Sequence, residues 1–381
     1  MGRRAAGLIL GVLCLVVAGA VLADIAGSWR YHDLWCFYHG GEAALHGLDP
    51  YDGPTWSVLT DDPSRSAGSR VVKAPCPGAF GYPYWSALAF APLALVPYDV
   101  AAGVWGALLL AGLIGGVTLL ARATAAPGLL LAAIAGGSLP LIQTLVFGQV
   151  TGVLLPLLGL SLLAPAGRAG TAAALLYLKP QLGALYVPAL MRRTVDRGGP
   201  RLAWSAVVTI ALLVTVSVAA FPAWPGEWLR ELTTTRVQIA RPLPTAAGLA
   251  TLLFGDARFA VVLIGAVLVG LALVTRRRAV GSLEYAAIAM GVSLFAVPYA
   301  YSYDHLFLLL PWAVVGAEAA RSEPGRRRRL LAALVFLAIV LPFAIFVVTF
   351  DSGSDTLNAV IPALSPFLVA GSCPRGATMD T

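Results

Sequence analysis

Charged side chains are scarce in this chain. Only 12% of its 381 residues are Asp, Glu, Lys or Arg, whereas an average soluble domain carries about 25%. So few ionised groups cannot cover a water-facing surface, but lipid does not penalise exposed apolar side chains. With 59% hydrophobic residues, the composition also excludes intrinsic disorder. The lack of charge therefore predicts an integral membrane protein.

The motifs of several common enzyme classes are absent as well. The sequence contains no Walker P-loop, no His-Glu-x-x-His, no Cys-x-x-Cys and no Gly-x-Ser-x-Gly. Its 4 histidines, three of them between residues 32 and 46, have no spacing typical of a zinc site. We therefore expect neither a cofactor nor a resident metal ion.

Lysine is nearly missing, and arginine carries the basic charge in short tracts between apolar runs. A net charge of +7 would suit a nucleic-acid-binding protein if it formed one basic surface. The tracts are instead spread along the chain, at Arg3-Arg4, Arg192-Arg193, Arg276 to Arg278 and Arg326 to Arg329. Tracts of this kind are retained in the cytoplasm. We predict no nucleic-acid partner and place all four tracts on the cytoplasmic side of the plasma membrane.

The apolar runs between these tracts predict an all-α polytopic membrane protein, with about twelve transmembrane helices in a single domain over residues 1–381. The runs fall at 5–23, 82–97, 100–121, 127–142, 150–165, 170–191, 202–221, 257–275, 281–298, 304–320, 329–350 and 358–371. Counting crossings places residues 24–81 and 222–256 outside the cytoplasm. It places Phe147-Gly148-Gln149 in a tight turn at the inner surface.

The outer loop 24–81 is the one segment rich in polar and turn-forming residues. Loops longer than about 12–15 residues are usually functional or disordered, and we expect this one to be folded and to form part of the functional site. Residues 34–45 predict an amphipathic helix with aromatics suited to the membrane interface. Cys36 and Cys76 either form a disulfide, which would persist outside the cytoplasm, or remain two thiols.

Two charged groups close to the membrane are candidates for chemistry, because ionisable groups there are costly to keep. Asp33, next to His32, lies just beyond the first predicted helix. It is either a general base for a hydroxyl group or the N-cap of the following helix. Lys179 lies in the middle of the predicted run 170–191. Its ammonium needs an anion, which a lipid phosphate or pyrophosphate would supply; the alternatives are an ion pair with another helix and a polar cavity without substrate.

Two further groups are predicted on the outer face. The segment Tyr301 to His305 offers a carboxylate, an imidazole and three hydroxyl groups. Asp304 is either a substrate ligand or a helix cap, and His305 can donate to a phosphate oxygen. Arg241 belongs to the charged part of 222–256, where a solvated loop surface is the alternative to substrate binding.

The order of several short motifs resembles the GT-C superfamily of membrane glycosyltransferases, and most closely glycosyltransferase family 87. The motifs are His32-Asp33-Leu-Trp-Cys-Phe-Tyr, Gly47-Leu-Asp-Pro-Tyr51, Gly81-Tyr-Pro-Tyr84, Pro92-Leu, Val96-Pro97, Phe147-Gly-Gln149, Leu178-Lys179-Pro180 and Ser302-Tyr-Asp-His305 before Pro311-Trp312. Members of that family transfer mannose or arabinofuranose from polyprenyl-phosphate donors outside the cytoplasm. Together the motifs cover nearly the whole chain.

The resemblance implies an inverting transferase that acts on an envelope glycolipid or polysaccharide. Asp33 would then be the general base, and Lys179 and His305 would stabilise the departing donor phosphate. We expect substrate contacts from His32, Tyr51, Tyr82, Tyr303, Asp304 and Arg241. The alternative function is a transporter or flippase for lipid-linked sugars, which would also need a cation within the membrane. Transporters commonly show two related halves with broken helices, and no such repeat is visible here.

Overall fold

The computed structural model describes residues 32–61, 76, 78–192, 200–233, 243–276, 278 and 280–374. The described part of the chain is helical and contains no β-strand. The predicted first helix at 5–23 and Arg241 lie outside the described residues.

The helices fall into an N-terminal group and a long series of apolar helices. The first are α1 (Asp33–His46), α2 (Gly53–Thr60) and α3 (Tyr84–Phe90), the last followed by a 3-10 helix at Ala91–Leu95. The others are α4 (Tyr98–Thr124), α5 (Gly128–Gly136), α6 (Leu139–Val146), α7 (Val150–Leu163), α8 (Ala166–Leu175), α9 (Pro180–Gly183), α10 (Tyr186–Arg192), α11 (Pro200–Ala220), α12 (Trp224–Glu231), α13 (Ala246–Phe254), α14 (Ala260–Thr275), α15 (Ser282–Ala296), α16 (Leu309–Arg321), α17 (Pro324–Val335), α18 (Leu341–Thr349) and α19 (Val360–Ser372). Further 3-10 helices lie at Leu176–Leu178, Ala257–Phe259, Ser302–Leu308 and Thr356–Ala359, and a π-helix at Phe336–Val340 joins α17 to α18.

The membrane-spanning character of the chain is confirmed, whereas the count of twelve helices is not. Four helices of the described part are long and apolar enough to cross a bilayer: Tyr98–Thr124, Pro200–Ala220, Ala257–Thr275 and Pro324–Thr349. The pair α5 and α6 makes a fifth if its 62° bend is part of one span. Several other apolar helices are shorter than a perpendicular span needs.

The predicted span at 82–97 is two short pieces that pack on α1. The Tyr38 hydroxyl on α1 donates to the carbonyl of Val96 at 2.9 Å. A Cβ added to Gly41 would lie 2.5 Å from the carbonyl oxygen of Phe90, so the two backbones are in close contact. The Tyr98 ring, at the start of α4, also contacts Tyr38, with 5.3 Å between the ring centroids. The segment therefore lies beside the outer-loop helix, and α4 begins there.

The segment 34–45, for which a helix was predicted, lies within α1. Its N-terminus carries Asp33, and Gly47 ends it in the left-handed conformation, with φ 65°. The aromatic side chains of Trp35 and Phe37 are buried against protein, so the predicted position at the membrane interface is not confirmed. The chain forms the disulfide Cys36–Cys76, with the Cα atoms 5.5 Å apart. This bond joins the first turn of α1 to the end of the outer loop.

Glycines bring α4 and α7 together and so fix the start of α7. A Cβ on Gly112 of α4 would lie 2.5 Å from the carbonyl oxygen of Gly152, and one on Gly152 would lie 2.5 Å from the side chain of Leu109. Only glycine allows backbones to approach this closely. The contact holds the first turn of α7, which carries polar side chains, in the interior of the bundle.

Candidate active site

A cavity of about 430 Å³ opens between α1, α6, α18 and the segment that precedes α16. Both polar and apolar side chains line it. The lining residues are His32, Asp33, Gln143, Phe147, Tyr301, Ser302, Tyr303, Phe346, Thr349, Phe350, Gly353, Ser354 and Asp355. The cavity thus brings the predicted base Asp33 and the predicted segment beginning at Tyr301 to one place, from positions about 270 residues apart in the chain.

Asp33 accepts a hydrogen bond from the side-chain amide of Gln149, through its Oδ2 atom. Gln149 precedes α7 directly, in a turn that Gly148 makes with φ 62°. The Trp105 indole donates to the carbonyl of Gly148 at 2.8 Å and holds this turn against α4. The predicted position of Gln149 at the inner surface, opposite to Asp33, is therefore wrong. The bent pair α5 and α6 returns the chain to the side where Asp33 lies.

Lys179 contacts the other end of the Gln149 amide and has no exposed surface. Its ammonium contacts Asp304 Oδ1 at 2.6 Å, Gln149 Oε1 at 2.9 Å and Thr151 Oγ1 at 3.1 Å. An ammonium has three N–H donors, so these partners use all of them. The ring centroid of Tyr303 is 4.4 Å from the nitrogen, which adds a cation–π contact.

A break in the helix directs Lys179 into this interior. The predicted run 170–191 is divided into short helices at Lys179, which has φ −130° and ψ 89°. Pro180 causes the break because the residue before a proline is kept out of the α conformation. The carbonyls left without helix partners at Tyr177 and Leu178 accept from the Trp85 indole at 2.9 Å and the Ser86 hydroxyl at 2.7 Å.

Asp304 caps a helix, one of the two roles predicted for it, and also pairs with Lys179; its role as a substrate ligand stays a prediction. Its Oδ2 atom accepts from the backbone N–H of Tyr301 at 3.1 Å, which caps the 3-10 helix that follows. Its Oδ1 atom accepts from the Thr151 hydroxyl at 3.0 Å and pairs with Lys179. Lys179 and Asp304 therefore form a fully buried ion pair that links two distant parts of the chain.

A family comparison becomes informative once this geometry is known. The model of glycosyltransferase family 87 matches residues 80–299. The chain belongs to glycosyltransferase family 87. The match covers more than half of the 381 residues and identifies a transferase that moves sugars. No curated protein and no solved structure gives a significant match.

The family 87 cavity is lined by two of the predicted substrate-binding residues besides Asp33. The His32 ring packs edge-on against Phe147, with centroids 4.9 Å apart. Burial lowers the pKa of His32 from its usual value, so at neutral pH its imidazole is a neutral hydrogen-bonding group. Tyr303 lies between Phe147 and Tyr301, at 5.9 and 5.1 Å between ring centroids.

Other predicted residues do not line this cavity. Tyr51 is buried, and its hydroxyl donates to the Tyr82 carbonyl at 2.7 Å. Burial raises the pKa of Tyr51 well above its usual value. The Tyr82 ring packs on Phe37 of α1, 5.4 Å away. His305 is fully buried and does not line this cavity. Arg241 lies outside the described part of the chain.

Sequence reasoning missed two contributors to the site besides Gln149. Thr151 bridges the buried ion pair, and a hydroxyl in the first turn of an apolar helix gave no signal of this. Asp355 lines the cavity; its Oδ1 atom accepts from the Ser302 hydroxyl at 2.6 Å and its Oδ2 from the Ser302 N–H at 3.1 Å. Two acidic residues after an apolar helix, Asp351 and Asp355, were the available signal for it. No group of three or more His, Cys, Asp and Glu suited to a metal ion occurs within the described ranges.

Proposed function

We propose that this family 87 protein is an inverting transferase that uses a polyprenyl-phosphate sugar, with mannose as the first candidate and arabinofuranose as the second. The acceptor is an envelope glycolipid or polysaccharide on the extracytoplasmic side of the plasma membrane. The observation that carries the proposal is a cavity that is lined both by a carboxylate, Asp33, and by two exposed aromatic side chains, Phe346 and Phe350.

The aromatic wall supports a lipid-linked donor. Phe346 and Phe350 line the cavity and are 38% and 66% exposed. They lie in and just after a helix, Pro324–Thr349, that is long and apolar enough to cross the membrane. A prenyl chain can therefore lie in the bilayer against this helix while its phosphate and sugar enter the cavity. A soluble nucleotide sugar would gain nothing from such a wall.

The polar part of the cavity supports a single displacement. The acceptor hydroxyl attacks the anomeric carbon, its proton passes to the Asp33 carboxylate, and the bond from that carbon to the phosphate oxygen breaks. The configuration inverts because the nucleophile and the leaving group occupy opposite faces. Polyprenyl phosphate leaves as an anion and needs no proton. Tyr301, Ser302 and Tyr303 line the same cavity as Asp33, and polar groups of such a wall would stabilise the charge on the departing phosphate.

The role of Lys179 and His305 as direct phosphate ligands stays a prediction. Both side chains are fully buried, and neither lines the cavity in this structure. The positive charge of Lys179 lies 4.4 Å behind the Tyr303 ring, close to the wall that the phosphate would meet. The predicted substrate contacts of Tyr51, Tyr82, Asp304 and Arg241 likewise remain to be tested.

The test is transfer activity of the full-length protein in nanodiscs, with polyprenyl-phosphate mannose and then the arabinofuranose donor. We expect Asp33→Asn to lower kcat by about 10²–10⁴-fold, the contribution typical of a general base. The matched control is Asp52→Asn, in the same loop, whose carboxylate caps α2 through Thr55; it should retain activity. Full activity of Asp33→Asn would refute the assignment. Movement of lipid-linked sugar across liposomes without any glycosidic product would instead favour the transporter.

A further inference from the structure

We propose that Lys179 is a positioning residue that acts on Asp33 through Gln149. In this arrangement the buried ammonium fixes the orientation of the Gln149 amide, and the amide N–H holds the carboxylate of the base at the cavity. The inference rests on the proposed function of Asp33. It gives Lys179 a role that needs no contact with either substrate.

The chemistry of the two neighbours allows only one orientation of the amide. An ammonium can only donate hydrogen bonds, and an ionised carboxylate can only accept them. Gln149 lies between the two, with Oε1 2.9 Å from Lys179 Nζ and Nε2 bonded to Asp33 Oδ2. The reversed amide would place its N–H groups against the ammonium and its oxygen against the carboxylate. Lys179 therefore excludes the orientation that would repel Asp33.

Both ends of this connection are held by rigid backbone. Lys179 is anchored at the Pro180 break, where Trp85 and Ser86 bind the two preceding carbonyls. Gln149 is anchored by the turn at Gly148 and by the close contact of α4 with α7. An amide held in this way can fix a carboxylate with little loss of conformational entropy when substrate binds.

The positive charge that orients Gln149 is that of Lys179, and the Asp304 carboxylate compensates it. Asp304 lies 2.6 Å from Lys179, and neither side chain is exposed. Thr151 donates to the carboxylate and accepts from the ammonium. Asp304 and Thr151 therefore hold the ammonium toward Gln149, so the unit that sets Asp33 consists of four side chains behind the cavity wall.

This role predicts a change in the pH dependence of transfer. A hydrogen bond to the charged form of a carboxyl group lowers its pKa. Losing the amide should therefore move the acid limb of kcat/KM, which reports the base in the free enzyme, to higher pH by about one unit. A donor ligand would behave differently: its loss should raise KM for the donor and leave the acid limb where it was.

The experiment compares pH profiles of kcat/KM for the full-length protein in nanodiscs. In Gln149→Met we expect the acid limb about one pH unit higher, kcat at least tenfold lower and the donor KM within about twofold of the wild type. Gln149→Glu keeps the shape and still pairs with Lys179, but it places a second carboxylate against Asp33. We expect a larger upward shift there, since like charges raise one pKa strongly. This variant decides the question if Gln149→Met does not fold.

A coupled substitution tests whether Lys179 acts through the amide. Lys179→Met with Asp304→Asn removes both charges together and should show the same shift as Gln149→Met. Adding Gln149→Met to that pair should change little more, because residues acting in one chain are not additive. An unchanged acid limb with a donor KM raised tenfold or more would overturn the proposal and make Lys179 a phosphate ligand. If only the positioning role of Lys179 is wrong, Asp33→Asn is still inactive. If Asp33→Asn is active, the proposed function itself is refuted.

Discussion

The buried pair Lys179–Asp304 predicts that a single substitution harms the protein more than a double one. Both side chains have no exposed surface and lie 2.6 Å apart. In Lys179→Met the partners left to the Asp304 carboxylate among the described residues are the Thr151 hydroxyl and one backbone N–H. Breaking a buried pair in this way costs about 3–5 kcal/mol. For a chain of 381 residues that is a fall in Tm of about 4–6 °C.

The double variant Lys179→Met with Asp304→Asn should recover most of that loss. Asn keeps an oxygen for the Tyr301 N–H, its NH2 group can donate to the Thr151 hydroxyl, and no buried charge remains. The assay is thermal unfolding in detergent, followed by tryptophan fluorescence. Arg258→Gln, which removes an exposed ion pair with Asp256, is the matched control and should leave Tm unchanged. Equal Tm values for the single and double variants would refute the reasoning, because they would show that the unpaired Asp304 carboxylate does not destabilise the protein.

Three further predictions follow from other parts of the site. Gly148→Ala places a side chain on a residue in the left-handed conformation, with φ 62°, which costs about 1–2 kcal/mol of stability. It should also lower kcat about tenfold, because it moves Gln149. The control Gly255→Ala, with φ 76°, should lose similar stability but no activity. The double variant Cys36→Ala with Cys76→Ala opens a loop of sequence separation 40 and should lower the free energy of unfolding by about 4 kcal/mol. The loss should appear as faster proteolysis of the outer loop. Equal proteolysis rates for the reduced and the oxidised wild type would contradict this. Phe350→Gln should raise the donor KM severalfold without changing the acceptor KM. The control is Val348→Gln, at a residue that is 79% exposed and does not line the cavity; it should leave the donor KM unchanged.

Local sequence predicted most of the helices well. The runs predicted at 100–121, 150–165, 202–221, 257–275 and 329–350 are all helical, with ends shifted by a few residues. Two of the starts follow from local chemistry, because Pro200 and Pro324 are the first residues of their helices. The run 170–191 failed because it was read as one helix, although Pro180 lies in its middle. The rule for the residue before a proline was sufficient to place a break at Lys179.

The side on which Gln149 lies was beyond local reasoning. Counting crossings adds up every earlier decision, so a single wrong span reverses the side of all residues after it. The segment 82–97 was counted as a crossing because it is apolar and 16 residues long, yet it packs on α1. The count then moved the Phe147-Gly148-Gln149 turn to the wrong side.

The sequence by itself determined the class of the protein, the polar loop that carries Asp33 and the set of polar residues near the membrane. These follow from composition and hydropathy, which are sums over local residues. Only the tertiary structure decided how those residues are used: Lys179 faces Asp304 and Gln149 rather than the cavity, and Gln149 joins Asp33. The physical reason is that a buried charge takes whichever partner the packing of distant helices provides. Here that packing depends on the close approach of Gly112 and Gly152, which no local pattern specifies.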